Sequence, residues 1–276
     1  MVGGQYSEPT MPLPTSVHEP ADLPPSPADH DTVLRAAGRT LADAWRCGPA
    51  FGSLCRVCRR WQRSALCEPC LRLHAAPVPR CGRCAIEVAT GVAQCADCMR
   101  RPPPMSATFA AVDYGYPWDA LIARFKFNEA VELARPLTGL MTRGLAAAFD
   151  AGLPRPDLIV PAPLTPERLR ERGYNQAWEL ARRLGRAFDL AARHDLVERV
   201  IGGAHQAALH GDERRRQVRG AYALTAAGQI AVAARHVAIV DDVMTTGATL
   251  AELALTLQRG GAASVQAWVL ARTPAR

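Results

Sequence analysis

Lysine is nearly absent from this chain: of 33 basic side chains, 32 are arginine and one, Lys126, is lysine. A chain so biased uses arginine wherever a positive charge suffices, so the surviving compact ammonium attracts interest. Aromatic residues are few, at 6%. Residues 46–101 hold only Phe51 and Trp61, which gives little stacking surface for single-stranded nucleic acid. No window approaches the roughly 18–20 consecutive apolar residues that a membrane span needs. Neither a glycine period nor a sustained heptad is present, which excludes collagen-like and coiled-coil chains. The opening MVGGQYSEPT lacks the basic and apolar regions of a secretory signal. These absences predict a soluble, cytoplasmic protein.

What is present is a core. The chain has 276 residues, 49% hydrophobic and 21% charged, enough for one large or two modest domains and too apolar for wholesale disorder. Its formal charge of +7 is unevenly spread. Residues 1–45 carry six acids and two arginines, whereas residues 46–101 carry ten arginines and three acids. A basic stretch is a possible footprint for nucleic acid, but this one also contains all nine cysteines. Eight thiolates around two zinc ions would bring the chain to about +3, so the arginines partly compensate for metal sites.

Residues 1–31 hold seven prolines and no lysine or arginine, which predicts a disordered acidic tail. A short amphipathic helix is expected over 33–45 and a cysteine-rich segment to Cys98. Arg101-Pro102-Pro103-Pro104 then forms a stiff boundary. The expected organisation is therefore a tail over 1–31, a short helix and Cys-rich module over 32–104, and a second domain over 105–276. In that domain the periodicity predicts strands at 108–114, 157–160, 237–240 and 264–270. Helices are expected at 118–127, after an Asn175 cap, and at about 248–258. Strands alternating with helices argue an α/β fold with a mostly parallel sheet.

Cys55/Cys58, Cys67/Cys70, Cys81/Cys84 and Cys95/Cys98 are four C-x-x-C knuckles. Two thiolates at this spacing bind one metal from a tight turn, and two knuckles complete a tetrahedral shell, so eight ligands fit two structural zinc ions. Disulfides would be reduced in a cytosol, and an iron–sulfur cluster is a lesser competitor. Spacing leaves open whether consecutive or alternate knuckles share an ion. Cys47 is left over as a small buried hydrophobe.

The most informative stretch is Val237-Ala238-Ile239-Val240-Asp241-Asp242-Val243-Met244-Thr245-Thr246-Gly247-Ala248-Thr249-Leu250. An apolar strand ends in two carboxylates, and a small-residue turn then opens a helix. Ligands of α/β sheets sit at carboxyl ends of strands, and a helix N-terminus with free N–H groups is a phosphate cradle. This stretch resembles the phosphoribosyl diphosphate (PRPP) signature of type I phosphoribosyltransferases. The resemblance implies that Asp241 and Asp242 contact the ribose hydroxyls, with Mg²⁺ accompanying PRPP. It also implies that Thr245, Thr246, Gly247, Ala248 and Thr249 wrap the 5′-phosphate.

Further segments narrow the match. Ile159-Val160-Pro161-Ala162-Pro163-Leu164, Arg168, Arg172-Gly173-Tyr174-Asn175-Gln176, and Leu121 to Phe127 with its Lys126 together resemble the ComF competence-protein family, including GntX-like proteins. So do Gln206-Ala207, Leu209, Glu213-Arg214 and Gly220-Ala221-Tyr222. The likeness runs from about Cys55 to Arg272. It implies a double zinc ribbon followed by a phosphoribosyltransferase domain. Lys126, Arg168, Arg172, Asn175 and Gln176 would lie near the diphosphate, and residues 202–219, with Arg214, would form a hood. Ala162, Tyr174 and Gln217 depart from the family's usual Val, Phe and Asn, without loss of charge.

Two functions follow from the resemblance. One is an enzyme that transfers phosphoribosyl from PRPP to an unidentified nitrogen nucleophile with release of diphosphate. The other is a non-catalytic PRPP- or nucleotide-binding adaptor for single-stranded DNA, or DNA-uptake proteins, in natural transformation.

Overall fold

The computed structural model describes residues 52–127, 130–200 and 220–275. The acidic tail, the expected 33–45 helix, Cys47 and the 202–219 segment with Arg214 lie outside them.

The described chain begins with a two-stranded antiparallel ribbon, β1 (Ser53–Leu54) and β2 (Trp61–Gln62), followed by helices α1 (Glu68–His74) and α2 (Ala96–Arg100). Each helix starts directly after a cysteine, and Cys67 Sγ accepts the Cys70 N–H at 3.4 Å as an N-cap. The α/β part then runs β3 (Ala107–Asp113), α3 (Trp118–Phe127), α4 (Ala134–Asp150), β4 (Leu158–Pro161), α5 (Pro166–Arg172), α6 (Gln176–Phe188), β5 (Ala191–Ala192) and β6 (Val197–Arg199). It closes with β7 (Tyr222–Leu224), α7 (Ala226–Val232), β8 (His236–Met244), α8 (Ala248–Arg259) and β9 (Ser264–Arg272).

Five strands form one sheet in the order β3-β9-β8-β4-β5, and every pairing in it is parallel. Helices cover both faces, which is why β8 and β9 read as nearly unbroken apolar runs. Alternate residues serve the two sides. Ala238, Val240, Trp268 and Leu270 pack with α3, α4 and α6, whereas Val237, Ile239, Val265, Ala267 and Val269 pack with α7 and α8. β6 and β7 pair antiparallel beside the sheet, with Arg199 opposite Tyr222.

The helix starts follow local chemistry. Thr165 caps α5 by accepting the Arg168 N–H at 3.2 Å, Pro166 opens the first turn, and Gly173 ends the helix at φ 73°. Asn175 caps α6 as its sequence position predicts, accepting the Trp178 N–H. The apolar positions Ala177, Leu180, Ala181 and Leu184 are all buried.

Two strands are longer than their apolar cores suggest. β8 continues through both carboxylates to Met244 because Asp241, Val243 and Met244 still pair with Val269, Ala271 and Arg272 of β9. Backbone pairing therefore carries two acids into the sheet's carboxyl edge. Residues from the Cys-rich part hydrogen-bond to this sheet. The Thr108 N–H and Oγ1 donate to the carbonyls of Gly82 and Arg83 at 2.9 and 2.8 Å.

Candidate active site and metal clusters

A cavity of about 180 Å³ opens at the carboxyl ends of β4 and β8. Asp241, Asp242 and Thr249 line it together with Lys126, Arg168, Arg172, Asn175 and Gln176. Residues from five elements and the turns between them thus converge, as α/β sheets generally arrange their ligand sites.

The carboxylates are not equivalent. Asp242 is buried and pairs with Lys126 Nζ at 3.0 Å. Asp241 Oδ1 accepts the main-chain N–H of Asp242 at 2.8 Å. Loss of hydration, followed by the Asp242 charge, drives the Asp241 carboxyl up to about 7, with Lys126 and Arg172 opposing. The lone lysine therefore stands in the cleft as a direct partner of the acid pair.

Facing the acids is a cationic wall. Arg168 and Arg172, four apart on α5, both reach the cavity. Desolvation, with Arg199 and Arg172 nearby, pulls the Arg168 pKa down. Arg172 donates to Gln176 Oε1 at 3.1 Å and lies over the Phe127 ring at 5.0 Å. Arg170 points elsewhere, toward Glu167 at 3.6 Å with both side chains exposed. Tyr174 donates to the Phe125 carbonyl, and Gln176 Nε2 donates to that of Lys126 at 3.3 Å. These bonds satisfy carbonyls at the end of α3 and fix where Lys126 stands. Asn175 Nδ2 donates to Ala162 O at 3.0 Å, holding the Pro161–Pro163 turn against α6.

Two further lining residues, Arg199 and Tyr222, carry no role in the sequence reading. Arg199 lies over the Tyr222 ring at 5.8 Å, and its Nε is buried with no described partner. Four cations around two carboxylates, with an unmet guanidinium donor, suit a polyanion. Nothing in the sequence around Arg199 signals this, because Tyr222 comes to it across the ribbon.

The small-residue turn opens α8 with Gly247 at φ 77° and no side-chain cap. The first N–H groups of this helix are thereby left for a ligand, apart from a weak 3.4 Å contact of the Ala248 N–H with Thr246 Oγ1. Thr249 faces the acid-pair cavity. Thr246, Gly247 and Ala248 instead border a larger cavity of about 900 Å³ beside the second cysteine cluster. That cavity is lined by Asp97, Arg100, Arg101, Glu252 and Arg272 but lacks the acid pair and the Lys126/Arg168/Arg172 wall, so the smaller one is the candidate active site.

The cysteines form two groups, Cys55/Cys58/Cys67/Cys70 and Cys81/Cys84/Cys95/Cys98, each with sulfurs within 4.8 Å of one another. Consecutive knuckles therefore pair. A tetrahedral zinc with bonds near 2.3 Å would separate its sulfurs by about 3.8 Å. The Cys58–Cys67 and Cys84–Cys95 sulfurs lie 3.6 and 3.7 Å apart. Burial raises the Cys55 thiol, but N–H donors from Cys58, Cys67 and Val57 overcome it and bring it down to about 6. Burial and neighbouring sulfurs push Cys70 up to about 12. Cys81 and Cys98 divide in the same sense. Four crowded sulfurs that cannot all ionise alone are relieved by a divalent cation, so both sets fit zinc.

An all-parallel sheet with an acid pair and a small-residue loop at its carboxyl edge, preceded by two four-cysteine clusters, is a phosphoribosyltransferase-type α/β fold with a double-ribbon module. No family model matches the chain. It is 34% identical over 226 residues to DNA utilization protein YhgH of Salmonella typhi, covering 82% of this chain and 98% of that protein. It is 33% identical over 226 residues to Competence protein F of Haemophilus influenzae, covering 80% and 98%. The chain belongs to the ComF family of competence protein F and its YhgH relatives. Among solved structures, glutamine PRPP amidotransferase from B. subtilis is similar at 18% identity and a TM-score of 0.31, over 49% of this chain and 26% of that one.

Proposed function

We propose that the cleft binds PRPP and that the protein transfers its phosphoribosyl group to a nitrogen nucleophile. The observation that carries this reading is the convergence of Asp241–Asp242, Thr249 at the uncapped start of α8 and the Lys126/Arg168/Arg172 wall on one small cavity. In it the acid pair holds the ribose hydroxyls and the turn holds the 5′-phosphate. The C1–O bond breaks with its electron pair departing on diphosphate, the acceptor nitrogen forms the C1–N bond, and its proton is released. Arg168, Arg172 and Lys126 stabilise the departing negative charge in a desolvated site. Asp241 and Asp242 would also hold a Mg²⁺ ion accompanying PRPP, which would supply charge stabilisation for the leaving group.

A second reading is favoured by the names of the relatives, one a DNA utilization protein and one a competence protein. In it the same cleft binds PRPP or a nucleotide without turnover, and the protein serves DNA uptake as an adaptor. Calorimetry with PRPP and Mg²⁺, followed by diphosphate release across a panel of nucleobases, separates the two. Base-dependent release supports the transferase, binding without release supports the adaptor, and absence of PRPP binding overturns the transferase and the PRPP form of the adaptor.

A further inference from the structure

Arg272 is the last residue of β9, opposite Met244 in register. Its guanidinium reaches two places at once. Nη1 donates to the carbonyls of Met244, Thr245 and Thr273 at 3.1, 2.5 and 2.7 Å, and Nε donates to the Cys84 carbonyl at 2.9 Å. One side chain thus ties a ligand residue of the second cysteine cluster to the entry of the phosphate loop.

The loop end has a direct geometric consequence. A trans peptide points its N–H opposite to its C=O. Holding the carbonyls of Met244 and Thr245 therefore aims the N–H groups of Thr245 and Thr246 away from Arg272. Those are donors of the turn that cradles a phosphate.

The cluster end has an electrostatic one. Arg272 is buried, at 8% exposure, and its hydrogen-bond partners are all neutral carbonyls. A desolvated cation needs a counter-charge. Asp113, a nearby carboxylate, is already held by Arg80 at 2.7 Å. Four thiolates around one Zn²⁺ carry a net charge of about −2. A metal-filled second cluster would thus supply the anion that keeps Arg272 in place, as outer partners of metal ligands commonly do.

We propose that Arg272 is a positioning residue that couples metal in the Cys81/Cys84/Cys95/Cys98 cluster to phosphate binding in the Thr245–Thr249 loop. The phosphate half of this coupling rests on the PRPP reading above. Metal and phosphate then assist each other reciprocally. The first cluster, Cys55/Cys58/Cys67/Cys70, has no such link among the described hydrogen bonds.

The test uses the full-length protein and three variants: Arg272→Lys, which keeps the charge and loses the planar fork; Cys95→Ser in the second cluster; and Cys58→Ser in the first. Hydrogen exchange over residues 244–249 reads the loop without any ligand. Calorimetry with ribose 5-phosphate reads the phosphate site, and the cobalt(II)-substituted protein gives a spectrum sensitive to the sulfur shell. Arg272→Lys and Cys95→Ser are expected to speed exchange in the loop and to weaken ribose 5-phosphate binding at least about fivefold, within the usual range of couplings. Cys58→Ser is expected to do neither. Ribose 5-phosphate should shift the cobalt spectrum of the wild type and not that of Arg272→Lys. A metal-loaded Arg272→Lys protein with wild-type loop exchange and an unchanged cobalt response overturns the coupling. Loop exchange that still depends on Arg272 and the second metal, in a wild type that binds no ribose 5-phosphate, supports the structural link while overturning the phosphate reading.

Discussion

Asp241 Oδ1 accepts a hydrogen bond from the main-chain N–H of its own neighbour, Asp242, at 2.8 Å. The bond holds two carboxylates side by side at the edge of the sheet, where burial and their mutual repulsion raise the Asp241 pKa to about 7.

This places a pH dependence on both stability and binding. With its pKa raised in the fold, Asp241 binds more protons folded than unfolded between about pH 4 and 7, so its contribution to stability falls as pH rises through that window. Asp241→Asn removes the penalty. At pH 8 its melting temperature should rise by roughly 2–4 °C for each 1 kcal/mol recovered, while PRPP binding is lost. Scanning calorimetry at pH 5 and pH 8 checks the sign: stabilisation by Asn should be larger at pH 8. Wild-type PRPP affinity should climb with pH through about 7 as the carboxylate ionises.

Lys126→Met is expected to leave the fold intact and to weaken PRPP binding at least about tenfold, since Asp242 loses its partner and the diphosphate a cation. Titration calorimetry beside circular dichroism measures both. Wild-type affinity in the variant would remove Lys126 from the site.

Gly247→Ala meets two obstacles. The backbone is left-handed at φ 77°, and a Cβ would stand 2.5 Å from the Met244 Cε. The conformational cost alone is about 1–2 kcal/mol. Ribose 5-phosphate affinity should drop roughly tenfold or more, because about 1.4 kcal/mol is already a factor of ten. Metal content should stay at the wild-type level.

Cys55→Ser should halve the zinc content and lower the melting temperature, because Cys55 is a fully buried member of the first cluster. Full zinc stoichiometry in that variant would refute the ligand set.

Much of the site is legible in the sequence because it is local. The acids, the turn and the α8 start occupy one stretch from Val237 to Leu250, and the α5 and α6 caps lie within Thr165–Asn175. The knuckle spacing likewise announces metal, although only the fold decides that consecutive pairs share a site. What stays hidden is set by tertiary approach. Arg199 and Tyr222 become neighbours through an antiparallel pairing across 23 positions. Arg272 reads in sequence as an ordinary basic residue near the chain's end. Its meaning depends on Cys84, 188 positions away. The end of β8 escapes a sequence reading for a related reason: acids are poor strand signals, but a parallel neighbour supplies the hydrogen bonds whatever the side chain.

The solitary lysine has a practical corollary. Amine-directed chemistry can modify one side chain only, and that side chain sits in the cleft against Asp242. Reductive methylation with isotopically labelled formaldehyde would plant a single side-chain magnetic-resonance probe at the proposed diphosphate site, free of overlap from any other lysine. A molecule that nearly dispenses with this residue has thereby made its own cleft spectroscopically addressable.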